Sequence, residues 1–149
     1  MYFDFSVNLG NLLLSLSDAT ELASPSIASH QMRSAYVVLK LAKAAKLPAE
    51  AIERLYIAAL LHDIGALSPE DKVSIHNFED KDSQWHCQRG ESLLNLSSLL
   101  QPSAKIVKYH HRTWLDWHEP ISVQLVLESQ ILFLAEILER YIDRKKYIL

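Results

Sequence analysis

Ala58-Ala59-Leu60-Leu61-His62-Asp63-Ile64-Gly65 sets a histidine and an aspartate at the end of an apolar run. Upstream, Ile52, Leu55, Ala59 and Leu60 recur at three- and four-residue spacing, the inward stripe of a helix that begins near Pro48. Gly65 reads as its left-handed cap. Neighbouring side chains on a helix diverge by about 100°, so His62 and Asp63 can serve one point only where the helix is ending. Alone, His62 would be an ordinary buried histidine with one hydrogen-bond partner; its companions argue for more.

Outward from this stretch the pattern stays helical. Ser24-Pro25 has the chemistry of a helix start, and Val37, Val38, Leu41, Ala44 and Ala45 carry that helix to about Lys46, where Leu47-Pro48 stops it. The first sixteen residues read as a core helix, too charged and short for a membrane span. Beyond Gly65 come a short helix from Pro69 to Ile75 and a stretch from about Gln84 to Leu96. A helix from about Ser103 to His111, a tryptophan-rich loop Arg112 to Pro120 and a long helix from about Ser122 to Arg144 follow. No strand-period alternation and no repeat is present, so the expected architecture is an all-α bundle of about five to seven helices.

With 149 residues, 49% hydrophobic content, three Gly and five Pro, the chain suits one domain spanning 1–149. Its tail, Arg144-Lys145-Lys146-Tyr147-Ile148-Leu149, lacks a cap, which suggests a module of a longer protein. A net charge of -3 gives no general attraction to nucleic acid or anionic membrane. The single cysteine, Cys87, can form neither an internal disulfide nor a thiolate zinc cluster, and the default compartment is the reducing cytoplasm. It reads as a small packed residue rather than a nucleophile.

Most of the seven histidines fall at helix ends or inward faces: His30, His62, His86, His110 and His111, with Asp63 beside them. Imidazole and carboxylate without thiolate suit iron, manganese or zinc. In a two-metal hydrolase a carboxylate bridges ions about 3.5–4 Å apart, which share the hydroxide that attacks phosphorus; Asp63 is the candidate bridge.

The ordered series His30, His62-Asp63, His86, His110-His111 and Leu134-Ala135-Glu136 resembles the HD-GYP branch of the HD superfamily of metal-dependent phosphohydrolases over about residues 12 to 146. The resemblance implies an HD-domain bundle with two divalent transition-metal ions, iron or manganese ahead of zinc. His30, His62, Asp63 and Glu136 would hold one ion and Asp63, His86, His110 and His111 the other, with His62 and Asp63 at the catalytic centre. The family usually has aspartate where Glu136 stands. Ser26 occupies the place of a third-metal carboxylate, so no third ion is expected.

The chain also departs from that family. After His110-His111 it reads Arg112-Thr113-Trp114-Leu115-Asp116-Trp117-His118-Glu119-Pro120, with no Gly-Tyr-Pro signature, which puts cyclic di-GMP as substrate in doubt. Ala66 replaces a lysine common after the HD glycine; Arg112 is the candidate catalytic phosphate-binding cation in its stead. Trp114 and Trp117 either stack on a base or, the stronger reading, plug the core. Lys105 and Lys108 form a solvated face, and His76 and His118 lie at the surface. The expected activity is hydrolysis of a phosphodiester or phosphomonoester of nucleotide type, with a phosphorylated small molecule as partner, no nucleic acid, no membrane, and a homodimer left open. The alternative is a degenerate HD domain that senses a nucleotide or docks a partner; a metal-free scaffold stands last.

Overall fold

The computed structural model describes residues 6–22, 27–76, 84–118 and 120–142. Among these the fold is all helical, with seven helices: α1 (Leu9–Glu21), α2 (His30–Ala44), α3 (Ala49–Leu61), α4 (Pro69–His76), α5 (Gln84–Leu94), α6 (Gln101–Tyr109) and α7 (Val123–Tyr141). This is the expected bundle. No described helix is long and apolar enough to cross a membrane.

The core forms around α3, which packs against α1, α2, α6 and α7. Its end, Ile57 to Leu61, is buried at every position, so the helix is surrounded on all sides there rather than carrying one inward stripe. Ile52, read as part of that stripe, is only half-buried. Leu55, Leu60 and Leu61 meet Val38 and Ala42 of α2, Ile106 of α6 and Leu132 of α7 in one apolar cluster. On α2 the buried positions are His30, Gln31, Ser34, Ala35, Val38 and Ala42, whereas Ala44 and Ala45 are exposed at its end.

Several boundaries move from their expected places. Ser24-Pro25 lies outside the described residues, but 27–29 form a turn and α2 begins only at His30. α2 is closed by Lys46 in the left-handed conformation (φ 55°), with Leu47 N donating to Ala42 O at 3.1 Å and Lys46 N to Lys43 O at 3.0 Å, the Schellman pattern. The left-handed cap expected at Gly65 is absent, since no described glycine has positive φ. α1 buries only Leu13, Ser17 and Glu21, and the reading of a core helix there is corrected to one face: Leu13 joins the core with Leu9 and Leu14 half-buried against it, while Leu12 and Leu16 stay exposed.

α4 starts with a capping box, in which Asp71 N donates to Ser68 Oγ (3.0 Å) and Ser68 N to Asp71 Oδ2 (3.4 Å). α7 starts on Ser122, whose Oγ accepts from Leu125 N. α7 ends at Tyr141, short of the expected Arg144, with Ile142 in extended backbone (ψ 116°).

Candidate metal centre

α3 ends at Leu61, and residues 62–65 turn tightly, with Ile64 N donating to Leu61 O and Ala66 N to Asp63 O, both at 3.0 Å. The last carbonyls of a helix lack intrahelical partners. His62 takes one of them: its Nδ1 lies 2.8 Å from Ala59 O. His110, the residue after α6, repeats the device with Nδ1 at 2.6 Å from Val107 O. In both rings this use of Nδ1 turns Nε2 inward.

The inward nitrogens meet. His30 Nε2 is 3.3 Å from His62 Nε2 and 4.0 Å from Asp63 Oδ2. His62 Nε2 is 3.3 Å from Asp63 Oδ2, and His86 Nε2 is 3.5 Å from Asp63 Oδ1 and 3.4 Å from His110 Nε2. Asp63 thus stands between a His30–His62 half and a His86–His110 half. Glu136 closes the second half, with Oε2 at 3.7 Å from His111 Nδ1, and groups with His62 and His110 rather than with His30. All seven residues read from the sequence as metal ligands, namely His30, His62, Asp63, His86, His110, His111 and Glu136, fall in this one region, and all but His111 are buried.

Gly65 makes the approach of the two halves feasible. A Cβ there would lie 2.0 Å from the carbonyl oxygen of His86 and 2.7 Å from Gly90 N. Gly90 in turn lets α6 close on α5, since its Cβ would meet Val107 Cγ1 at 2.9 Å. The two glycines bring the turn into backbone contact with α5 and let the Val107 side chain of α6 close on α5, and so bring Asp63, His86 and His110 together.

The second layer of contacts was less legible. His30 Nδ1 meets Glu139 Oε2 at 2.5 Å, and Glu139 Oε1 accepts from Arg33 Nε at 2.6 Å. Sequence reading missed Glu139; the signal available was its place one turn beyond Glu136 on α7. Arg140 bonds Glu136 and donates to Ile75 O. Lys72, also missed, is buried and donates from Nζ to Asp63 O at 3.2 Å. Cys87 is buried, with Sγ 3.6 Å from His86 Nε2 and from His110 Nδ1. Burial pushes its thiol up, reinforced by the Asp63 and Glu136 charges, which agrees with its reading as a packed residue rather than a nucleophile.

Arg112 lies at the rim beside His111. Its guanidinium lies over the rings of Tyr109 (4.5 Å) and Trp117 (5.4 Å), and it shares with His111 and Lys108 the wall of a small cavity of about 70 Å³. Lys105 and Lys108 pair with Glu91 at 2.7 and 2.8 Å. Trp114 is 67% exposed, so it does not plug the core; only Trp117, edge-on to Tyr109, packs inward. His118 is exposed, as read, and the side chain of His76 lies outside what is described.

Charge is distributed unevenly across the centre. Burial opposes protonation of His62, but Asp63 overrides it and lifts this imidazole to about 9. His86 falls to about 4, chiefly by burial, and His110 falls well below the usual imidazole range, through burial and then the neighbouring His111, His62 and His86. Burial would raise Asp63 and Glu136; the surrounding imidazoles, His62 first for Asp63 and His111 first for Glu136, hold both down as carboxylates. At neutral pH the centre therefore sets neutral His86 and His110 and a protonated His62 beside anionic oxygens, and once the His62 proton is displaced these are the donors that divalent cations take.

A test of fit is whether the inward donors are already used. Asp63 Oδ1, Glu136 Oε2 and His111 Nε2 are buried without a hydrogen-bond partner, a costly state in the absence of a bound group. Taken with the His-rich cluster, these orphaned atoms fit metal ions.

An all-α bundle in which five imidazoles and two carboxylates converge defines a helical domain able to hold metal. The chain belongs to the HD domain family, whose model matches residues 27–141. It is 27% identical over 112 residues to the 3'3'-cGAMP-specific phosphodiesterase 1 of Vibrio cholerae serotype O1, an alignment covering 74% of this chain and 26% of the relative. The chain thus spans about a quarter of that relative's length. No solved structure matches it.

Proposed function

We propose that residues 1–149 form one HD module that acts in the cytoplasm as a metal-dependent phosphohydrolase on a nucleotide-type phosphodiester, with cyclic dinucleotides the first class to test. The observation that carries this reading is the set of buried, unpartnered donor atoms on Asp63, Glu136 and His111 amid inward-turned imidazoles. The similarity to a cGAMP phosphodiesterase supports the substrate class.

His30, His62, Asp63, His86, His110, His111 and Glu136 would hold two divalent ions, with Asp63 shared between them. Such ions, when bound, lower the pKa of a coordinated water and neutralise charge on a phosphoryl group. The protein's own contribution is orientation. Ala59 O and Val107 O fix the tautomers of His62 and His110, Glu139 fixes that of His30, and the apolar packing around α3 keeps bulk water from the donors. Arg112, at the rim beside His111, would receive a phosphate oxygen by swinging from its place over Tyr109 and Trp117.

A second reading, a degenerate HD domain that binds metal and a nucleotide without turnover, is favoured by Ala66 and by that stacked position of Arg112. The deciding experiment is metal content per chain followed by turnover of bis(p-nitrophenyl) phosphate and of cyclic dinucleotides. Metal near two equivalents with turnover, both lost in His62→Ala and Asp63→Ala, is the expected outcome. Metal without turnover of any substrate selects the second reading, and no metal after reconstitution rejects both. Arg112→Ala is expected to raise KM about tenfold with metal content unchanged; unaltered kinetics would remove Arg112 from the site.

A further inference from the structure

Lys72 is 4% exposed, and its ammonium donates to a neutral group, the carbonyl oxygen of Asp63, at 3.2 Å. An ammonium carries three donors, and burying its charge without an anion in contact is costly. The carboxylates of Asp63 and Glu21 attract it, but neither forms an ion pair with it. Its position is fixed: the Ser68–Asp71 capping box sets the first turn of α4, and Arg89 ties that turn to the Gly65 loop through Gly65 O (3.2 Å) and Asp71 (3.5 Å).

Lys72 also lines a cavity of about 440 Å³ between the end of α1, the turn after His62-Asp63, α4 and α5. Most of the remaining wall is apolar, with Leu16, Ile64 and Leu93 from three different segments and Ala66 where a longer side chain would fill the space. A mostly apolar pocket of a few hundred Å³ with few polar groups is the usual form of a small-molecule site. An apolar wall with one buried cation selects an amphipathic anion.

We infer that this cavity binds an organic phosphate of nucleoside monophosphate type, the phosphoryl group on Lys72 and the flat apolar body against Leu16, Ile64 and Leu93. Because Lys72 is bonded to the backbone of Asp63, a phosphate held there lies beside the metal centre. The inference rests on the proposed function for its meaning as a substrate or product subsite, although the binding itself does not.

The test is titration calorimetry of the protein as purified with adenosine 5'-monophosphate and, separately, with inorganic phosphate. The nucleotide is expected to bind more tightly than inorganic phosphate. Lys72→Met should weaken it about tenfold or more, as loss of a charge-assisted contact does, with metal content unchanged. Ala19→Phe, which fills the cavity from α1 without touching Lys72, should weaken the nucleotide and leave inorganic phosphate alone; it keeps the test decisive if Lys72→Met does not fold. Equal affinity for both anions, nucleotide binding unchanged in either folded variant, or no binding by the wild type overturns the inference. Lys72-dependent binding without hydrolysis of any phosphodiester sustains the pocket and rejects the phosphohydrolase reading. Hydrolysis with unchanged nucleotide affinity in the variants does the reverse.

Discussion

At the scale of single residues, the centre depends on side chains that do two things at once. His62 and His110 each satisfy a helix-end carbonyl with one nitrogen and leave the other for the centre, so His62→Gln would lose the aim along with the ligand. Gly65 acts through what it lacks. Gly65→Ala would drive a methyl group into the His86 carbonyl, pushing α5 away and parting His86 from Asp63. Elemental analysis is expected to show bound metal falling from about two equivalents to about one; full occupancy would show that the backbone contact is not what sets the site. His62 also sets a pH dependence. Raised to about 9 when no ion competes, it is protonated at neutral pH, and a metal must displace that proton. Metal affinity should therefore climb from pH 7 to about 9, measured by competition with a chelator. The stability of the metal-free protein runs the other way. The His62–Asp63 contribution is full below the unfolded imidazole value of about 6.5 and is lost as pH rises through the folded value, so the urea midpoint should fall over that window.

At the scale of elements, α2 shows how local chemistry and packing disagree. The helix carries the candidate ligand His30 at its very start and closes on Lys46, a residue with a Cβ held at φ 55°. Left-handed backbone costs a side-chain-bearing residue about 1 kcal/mol. Lys46 is exposed, so Lys46→Gly relieves that strain without opening a cavity and is expected to raise stability by about 0.5–1 kcal/mol in chemical denaturation. A loss of stability would mean that the Lys46 side chain makes a contribution larger than the strain. The seven helices themselves were readable from apolar spacing and from Pro and Ser signals. The start of α2 was not, because the Ser24-Pro25 signal is local, whereas the 27–29 turn ahead of His30 depends on the packing of Ile27, which is buried.

At the scale of the molecule, α3, α6 and α7 are locked by a polar tie. Glu128 of α7 is 2% exposed and is held by Arg54 of α3 through two bonds, one of them 2.9 Å, while Ser103 of α6 donates to Arg54 O at 2.7 Å. Removing one partner of such a pair leaves a buried charge uncompensated. Arg54→Ala should lower stability by about 2 kcal/mol, discounted because Arg54 is itself partly exposed, with metal content unchanged since the tie makes no contact with the centre. A matching loss of metal would show that the two ends of α7 are coupled through the helix.

The amino-acid sequence by itself determined the class of fold, through helical periodicity without strand alternation, and grouped five imidazoles with Asp63, through their places near helix ends and inward faces, while Glu136 entered only through the resemblance to the HD family. These are properties of short segments, and short segments are what periodicity reports. Tertiary structure alone decided which donors face one another: that Glu136 closes on His111 while Glu139 holds His30, that Arg112 stacks on Tyr109, and that Lys72 lies buried behind Asp63. Each depends on the rotation and spacing of helices far apart in the chain, fixed by core packing and by the two glycines that let backbones touch.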